Sequence, residues 1–211
     1  MKILTISDVH GKLPMMPDGC VADVCVLAGD LEPDECLPGW MGQIFWPWVE
    51  AIPAAHLIIV PGNHDQHLGR KYSKPFTNYK LDLPMFKTVQ LLTGAETVID
   101  GVKFYGTPYT TGPDLKWWQY FEGTDELLQK HWDAIPSDVD ILITHAAQYG
   151  IGDLDLKNNT TYGSLSLRES VSRLKQLRWH IHGHIHDGRG VYPQERYNIL
   201  NTSQTWNLIE I

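Results

Sequence analysis

Asn63, His64 and Asp65 follow directly on Leu57-Ile58-Ile59-Val60-Pro61-Gly62. The short apolar, β-branched run predicts a buried strand, and Pro61-Gly62 stops it, so three polar side chains are placed on a strand-end loop. Alone, Gly-Asn-His-Asp is equally an ordinary turn, because Asn and Asp favour turns through local hydrogen bonds. The same construction recurs, however. Asp8 and His10 follow a predicted strand at 2–7, Asp30 one at 24–28, His145 one at 140–144, and His184 and His186 one at 179–182. Five strands each deliver a metal-ligand residue type at the carboxyl end, where open α/β sheets present their chemistry.

The candidate ligands are therefore Asp8, His10, Asp30, Asn63, His145, His184 and His186, all oxygen or imidazole nitrogen, with no cysteine among them. Seven are too many for one tetrahedral ion and suit two ions sharing a bridging carboxylate. Such a donor set fits Mn, Fe or Zn, and its carboxylate and amide oxygens favour Mn. Asp8 and His10, like His184 and His186, stand at i and i+2, which puts each pair on one side of an extended chain.

The elements that must hold these residues are partly readable. Residues 40–52 carry helical apolar spacing, with Pro47 either kinking the helix or marking its true start. Residues 96–105 predict a hairpin whose Asp100-Gly101 suits a type I′ turn. A loop at 108–123 carries Tyr109, Trp117, Trp118, Tyr120 and Phe121, rings that would either stack a nucleobase or form a small core of their own. Gly123-Thr124 opens a helix that ends before Pro136, with Asp125 and Glu126 in its first turn. Ser166-Leu167-Arg168-Glu169 reads as a capping box for the last helix, with Leu167, Val171, Leu174 and Leu177 as its apolar stripe. Between them, residues 146–163 form a wall or lid. Residues 70–74 read as a solvated basic turn, and His182 as a packed histidine rather than a ligand.

At 211 residues, 43% hydrophobic and 20% charged, the chain is expected to form one domain with a proper core. A formal net charge of -8 argues against a partner as long and anionic as a nucleic-acid backbone. Met1-Lys2 leads straight into a strand, and no apolar run approaches a membrane span, so a cytosolic protein with no membrane partner is expected. Cys20, Cys25 and Cys36 lack metal or disulfide spacing and are expected as thiols.

The order Asp-x-His, Gly-Asp, Gly-Asn-His-Asp, Thr-His and Gly-His-x-His resembles the calcineurin-like metallophosphoesterases across essentially the whole chain. Phe104-Tyr105-Gly106-Thr107-Pro108-Tyr109, the Trp117-Trp118 pair, residues 131–136 and Gly183 to Gly190 resemble the branch of the mammalian metallophosphoesterase-domain proteins, related to class III cyclic-nucleotide phosphodiesterases. The resemblance implies a four-layer α/β/β/α sandwich of two mixed sheets. It implies one ion held by Asp8, His10, Asp30 and His186, and another by Asp30, Asn63, His145 and His184, with Asp30 as the bridge. It implies a phosphodiesterase that hydrolyses small phosphodiesters, cyclic nucleotides among them, through in-line attack of a hydroxide shared by the two ions. His64 would be the general acid and Asp65 its orienting partner. The alternatives are a phosphomonoesterase, a nuclease on short strands, or a non-catalytic metal-binding scaffold. Against a phosphoprotein phosphatase, Leu31-Glu32-Pro33-Asp34 lacks the arginine those relatives carry after Gly-Asp. Oligomeric state is not readable from the chain.

Overall fold

The computed structural model describes residues 1–35, 37–112 and 120–211, so Cys36, Trp117 and Trp118 lie outside the described residues. The strands are β1 (Lys2–Ile6), β2 (Ala22–Leu27), β3 (Ala54–Ile59), β4 (Thr77–Leu81), β5 (Thr88–Thr93), β6 (Ala95–Ile99) and β7 (Val102–Thr107). Then come the short parallel pair β8 (Thr110–Thr111) and β9 (Glu122–Gly123), and β10 (Ile141–Thr144). The short antiparallel pair β11 (Leu154–Asp155) and β12 (Thr160–Thr161) precedes β13 (Trp179–His182), β14 (Gly190–Pro193), β15 (Asn198–Asn201) and β16 (Asn207–Glu210). The α-helices are α1 (Trp46–Glu50), α2 (Gln66–Tyr72), α3 (Asp125–Asp133) and α4 (Leu165–Ser172).

One six-stranded sheet runs β16-β1-β2-β3-β5-β4 and the other β14-β15-β13-β10-β7-β6. Each has four parallel strands flanked by an antiparallel strand at either edge. The near-continuous apolar runs arise because these strands are covered on both faces. Alternate residues enter different cores: Ile3, Val24, Val26 and Ile58 pack between the sheets against Phe104, Ile141, Ile143 and Ile181. Leu4, Cys25, Leu27 and Leu57 face the other way, toward Phe45 just before α1, Val49 on α1 and Leu68 on α2. Behind the second sheet, Tyr105 and Leu142 meet Leu128 and Trp132 of α3 and Leu167 and Val171 of α4. This is the four-layer α/β/β/α sandwich expected, and each fully buried Leu or Ile in it contributes about 1.5–3 kcal/mol.

Local chemistry accounts for most boundaries. Pro47 stands in the first turn of α1, directly after a π-helical turn over Met41–Phe45. The β6–β7 hairpin turns through Asp100 (φ 48°) and Gly101 (φ 82°), as a type I′ turn requires. Thr124 caps α3 by accepting from Leu127 N–H. The cap of α4 differs from expectation. It is Ser164, whose hydroxyl accepts from Leu167 N–H at 2.9 Å, and Ser166 lies inside the helix. The cause is tertiary: Asp125, at the start of α3, accepts from Ser166 N–H at 3.0 Å and from both serine hydroxyls, tying the two helix starts together. Arg70 and Lys71 belong to the last turn of α2 rather than to a free loop, where their charge complements the helix dipole. Among the described residues no helix is long and apolar enough to cross a membrane.

Candidate metal centre

The carboxyl ends of both sets of parallel strands meet at one end of the sandwich, and the backbone joins the sheets there. Ser7 and Ser203 form an isolated parallel bridge, with Ser7 N–H donating to Thr202 C=O at 3.3 Å and Gln204 N–H to Ser7 C=O at 2.8 Å. Asp8 is held from several sides: its Oδ2 accepts from the Ser7 hydroxyl and, at 2.8 Å, from the Ser203 hydroxyl, while His184 N–H donates to both carboxylate oxygens at 2.9 and 3.0 Å.

The expectation that Asp8/His10 and His184/His186 converge through extended alternation is corrected. Asp8 (φ 54°), His10 (φ 43°), Asp30 (φ 52°) and His184 (φ 68°) all adopt left-handed backbone, which non-glycine residues rarely do, and His186 begins a 3₁₀ turn. Such strain persists where surrounding contacts impose it and clusters at functional sites. The left-handed turns send His184 and His186 to different places. Asp8, His10 and His186 bring ligand atoms within 4.8 Å of one another, as do Asp30, His145 and His184. Asp30 lies between the groups: its Oδ2 is 3.1 Å from His145 Nε2 and 3.8 Å from His10 Nε2, and its Oδ1 accepts from His64 N–H at 2.9 Å. Each group draws on strand ends from both sheets.

Two buried atoms test whether cations fit. The Asn63 amide donates through Nδ2 to Glu122 Oε1 at 2.8 Å, and its Oδ1 has no hydrogen-bond partner. His145 Nδ1 lies 3.0 Å from Ala28 C=O, so Nε2 is the nitrogen turned toward Asp30, again without a hydrogen-bond partner. A buried amide oxygen and imidazole nitrogen left unpaired would be costly, and both are good donors to a divalent ion. Glycine makes the crowding possible: a Cβ at Gly62 would collide with Asp30 Oδ1, and one at Gly183 with Asp8 Oδ2. The residues fit a pair of oxygen- and nitrogen-ligated cations.

Charge is concentrated accordingly. Burial opposes ionisation of Asp30, but the surrounding His145, His64 and His10 hold its pKa below the usual carboxylate range. Burial likewise disfavours a charged His145, yet Asp30 and Asp8 outweigh it and raise its pKa to about 10. His184 is lowered to about 4 by burial and by His145. The pattern is two carboxylates, Asp8 and Asp30, whose negative charge favours positive charge among the enclosing imidazoles, the charge that cations would supply.

A family model described as calcineurin-like phosphoesterase matches residues 1–188. The chain belongs to that family. Among curated proteins, the human metallophosphoesterase domain-containing protein 1 is 29% identical over 220 residues, which cover 96% of this chain and 65% of that protein. A Caenorhabditis elegans UPF0046 protein is 27% identical over 222 residues, covering 96% and 75% of the respective chains. Among solved structures, a dimetal phosphatase from Danio rerio shares 9% identity at a TM-score of 0.46, over 95% of this chain and 86% of that one. The chain thus spans about two thirds of the length of its human relative.

Around the calcineurin-like centre, the structure corrects one expected role and supplies three acidic residues the sequence did not single out. Asp65 is fully buried, and its carboxylate accepts from the N–H groups of Leu31, Glu32 and Gly62 at 2.7, 2.9 and 2.8 Å. It clamps the Asp30 and Asn63 loops together and is not the orienting partner of His64. Burial and the nearby Asp30 and Glu32 push its pKa up to about 8, against the pull of those N–H donors. Among the described residues, a carboxylate that meets His64 is Asp34, 3.1 Å from Nδ1. Glu32 accepts from His67 and Leu68 N–H at the start of α2, and Glu122 meets Asn63. Asp34 and Glu32 lay close after Gly-Asp and were at least locally visible as acids; Glu122 offered no sequence signal. His182 is fully buried and bonded through Nδ1 to Gly183 C=O, and burial lowers its pKa to about 4, consistent with a packed neutral ring.

The family cleft above these residues has a volume of about 890 Å³. Lys157, Asn158 and Tyr162 form one wall, so residues 146–163 act as the wall expected. Of the aromatic loop, Tyr109 stacks on His131 at 3.5 Å and meets Phe121 edge-on at 5.8 Å, so these two rings form a small core.

Proposed function

We propose that this chain is a two-metal phosphodiesterase acting on small phosphodiesters, with cyclic nucleotides as the leading substrate class and a 5′-nucleotide able to occupy the site. The observation that carries the reading is Asp30, a buried carboxylate facing both His145 and His10 and therefore both groups of candidate ligands. Asp8, His10, Asp30 and His186 would hold one ion, and Asp30, Asn63, His145 and His184 the other, with Mn favoured by the oxygen donors and Fe or Zn also compatible. Ions so held would lower the pKa of a shared water to roughly 7 and neutralise the phosphoryl oxygens.

The chain's own residues supply the rest. His64 stands at the cleft mouth, about one third exposed, with Nδ1 engaged by Asp34 and its backbone N–H by Asp30. That arrangement orients the ring, and in this reading its imidazole holds the proton for the departing alkoxide. Asp65 keeps the His64 loop and the Asp30 loop in register.

Charge in the cleft favours a diester, which carries one negative charge, over a monoester dianion. Lys12 and Lys157 are the only lysines or arginines among the described lining residues, and Asp34, Glu122, Asp155 and Asp187 share the same walls. The net charge of -8 weighs against long nucleic acids. The test is turnover of a chromogenic phosphodiester beside the matching monoester, each at low and high salt. Faster, salt-insensitive diester hydrolysis supports the reading; monoester preference makes the protein a phosphatase.

A further inference from the structure

We propose that Glu122 is a positioning residue for the candidate metal centre: by accepting the Asn63 amide N–H it fixes which end of that amide faces the cations, and so sets the occupancy of the second ion site. The inference rests on the two-ion reading above and concerns a residue 59 positions from the one it acts through.

Asn63 differs from the other candidate ligands in having two ends of nearly equal shape and opposite chemistry. Its oxygen can donate a lone pair to a cation, whereas its NH₂ group offers only hydrogen-bond donors. A turned-over amide would point two donors at the metal site. Asn63 is 1% exposed, so its orientation is decided by protein neighbours rather than by solvent. Glu122 Oε1 accepts from Nδ2, which leaves Oδ1, the buried atom without a hydrogen-bond partner, on the other side.

The fold delivers Glu122 to this place by several contacts. It sits on β9, paired in parallel register with Thr110 of β8. Tyr120 N–H donates to Asn63 C=O at 3.1 Å, fastening the segment to the ligand loop. Gly112 leaves room for the carboxylate, since a Cβ there would lie 2.9 Å from Glu122 Cδ. The Ala28 carbonyl plays the equivalent part for His145, facing Nδ1 so that Nε2 turns toward Asp30.

The experiment is calorimetric titration of Mn(II) into the metal-stripped protein, comparing wild type with Glu122→Ala, Glu122→Met, Glu122→Gln, Asn63→Asp and the Asn63→Asp/Glu122→Ala double variant. Wild type is expected to bind two ions. Glu122→Ala and Glu122→Met, the latter keeping the bulk, should weaken the second ion about 10- to 100-fold. Glu122→Gln should stay close to wild type, because its amide carbonyl still accepts from Nδ2. In the Asn63→Asp background removal of Glu122 should cost nothing, because a carboxylate presents oxygen whichever way it turns. Wild type binding two ions while Glu122→Ala and Glu122→Met bind both as tightly overturns the proposal alone. So does Glu122→Gln falling as far as alanine, or an equal loss in the Asn63→Asp background, either of which would mark general damage. Wild type binding fewer than two ions overturns the two-ion reading, and the proposal with it.

Discussion

Asp34 Oδ1 lies 3.1 Å from Nδ1 of His64, and the same oxygen lies 3.1 Å from Nδ1 of His10. One exposed carboxylate thus steadies both the ring proposed to hold the leaving-group proton and a proposed metal ligand. Exposed ion pairs contribute about 0.2–1 kcal/mol, so Asp34→Ala should lower turnover about fivefold or less. The loss should be larger for esters with poor leaving groups, which depend on protonation. Paired rates on activated and unactivated diesters check this, and an equal loss on both would detach Asp34 from proton transfer.

His64→Ala should keep both ions and lose turnover by about 10²–10⁴, the usual contribution of a positioned general acid. Metal content measured beside steady-state rates distinguishes this from a ligand role. Unchanged rates at full occupancy would remove His64 from the mechanism.

Asp65→Ala should act on stability first. Three buried backbone N–H groups would lose their acceptor, at about 1–3 kcal/mol for each left unsatisfied. Asp65→Asn, which keeps an acceptor oxygen, should be milder. Denaturant midpoints order the variants; an alanine variant as stable as wild type but inactive would return Asp65 to a direct role at His64.

Removing metal should loosen the sandwich. Both ligand groups take residues from the two sheets, Asp8 and His10 with His186, and Asp30 with His145 and His184, so each ion would cross-link them. Ligand at about 1,000 times its dissociation constant stabilises by about 4 kcal/mol. For a chain of this length that is about 10 °C in melting temperature. Thermal melts with and without chelator measure the shift, and no shift would mean that the sheets are not joined through metal.

The parts of the site that were legible in the sequence are those written locally. A strand such as Leu57–Val60 followed by Pro61-Gly62 announces its own end, and the residue types beyond it announce their chemistry. Asp100-Gly101 announces its turn in the same way. What was not legible depended on residues distant in the chain. Ser164 rather than Ser166 caps α4 because Asp125 arrives from another helix. Asp65 looked like a partner for its neighbour His64, but its loop folds back on residues 31 and 32, more than thirty positions away. The i and i+2 spacing of Asp8 and His10 implied extended chain, whereas packing against the Asp30 loop imposes left-handed turns: Asp8 N–H bonds Gly29 C=O and His10 N–H bonds Asp30 C=O. Glu122 comes from a two-residue strand that no local pattern marks.

The most direct test of the account is to titrate Mn(II) into metal-stripped protein while following hydrolysis of a chromogenic phosphodiester. The account predicts activity that reaches its plateau at two ions per chain and vanishes on chelation. Activity complete at one ion, or no turnover with two ions bound, would contradict it.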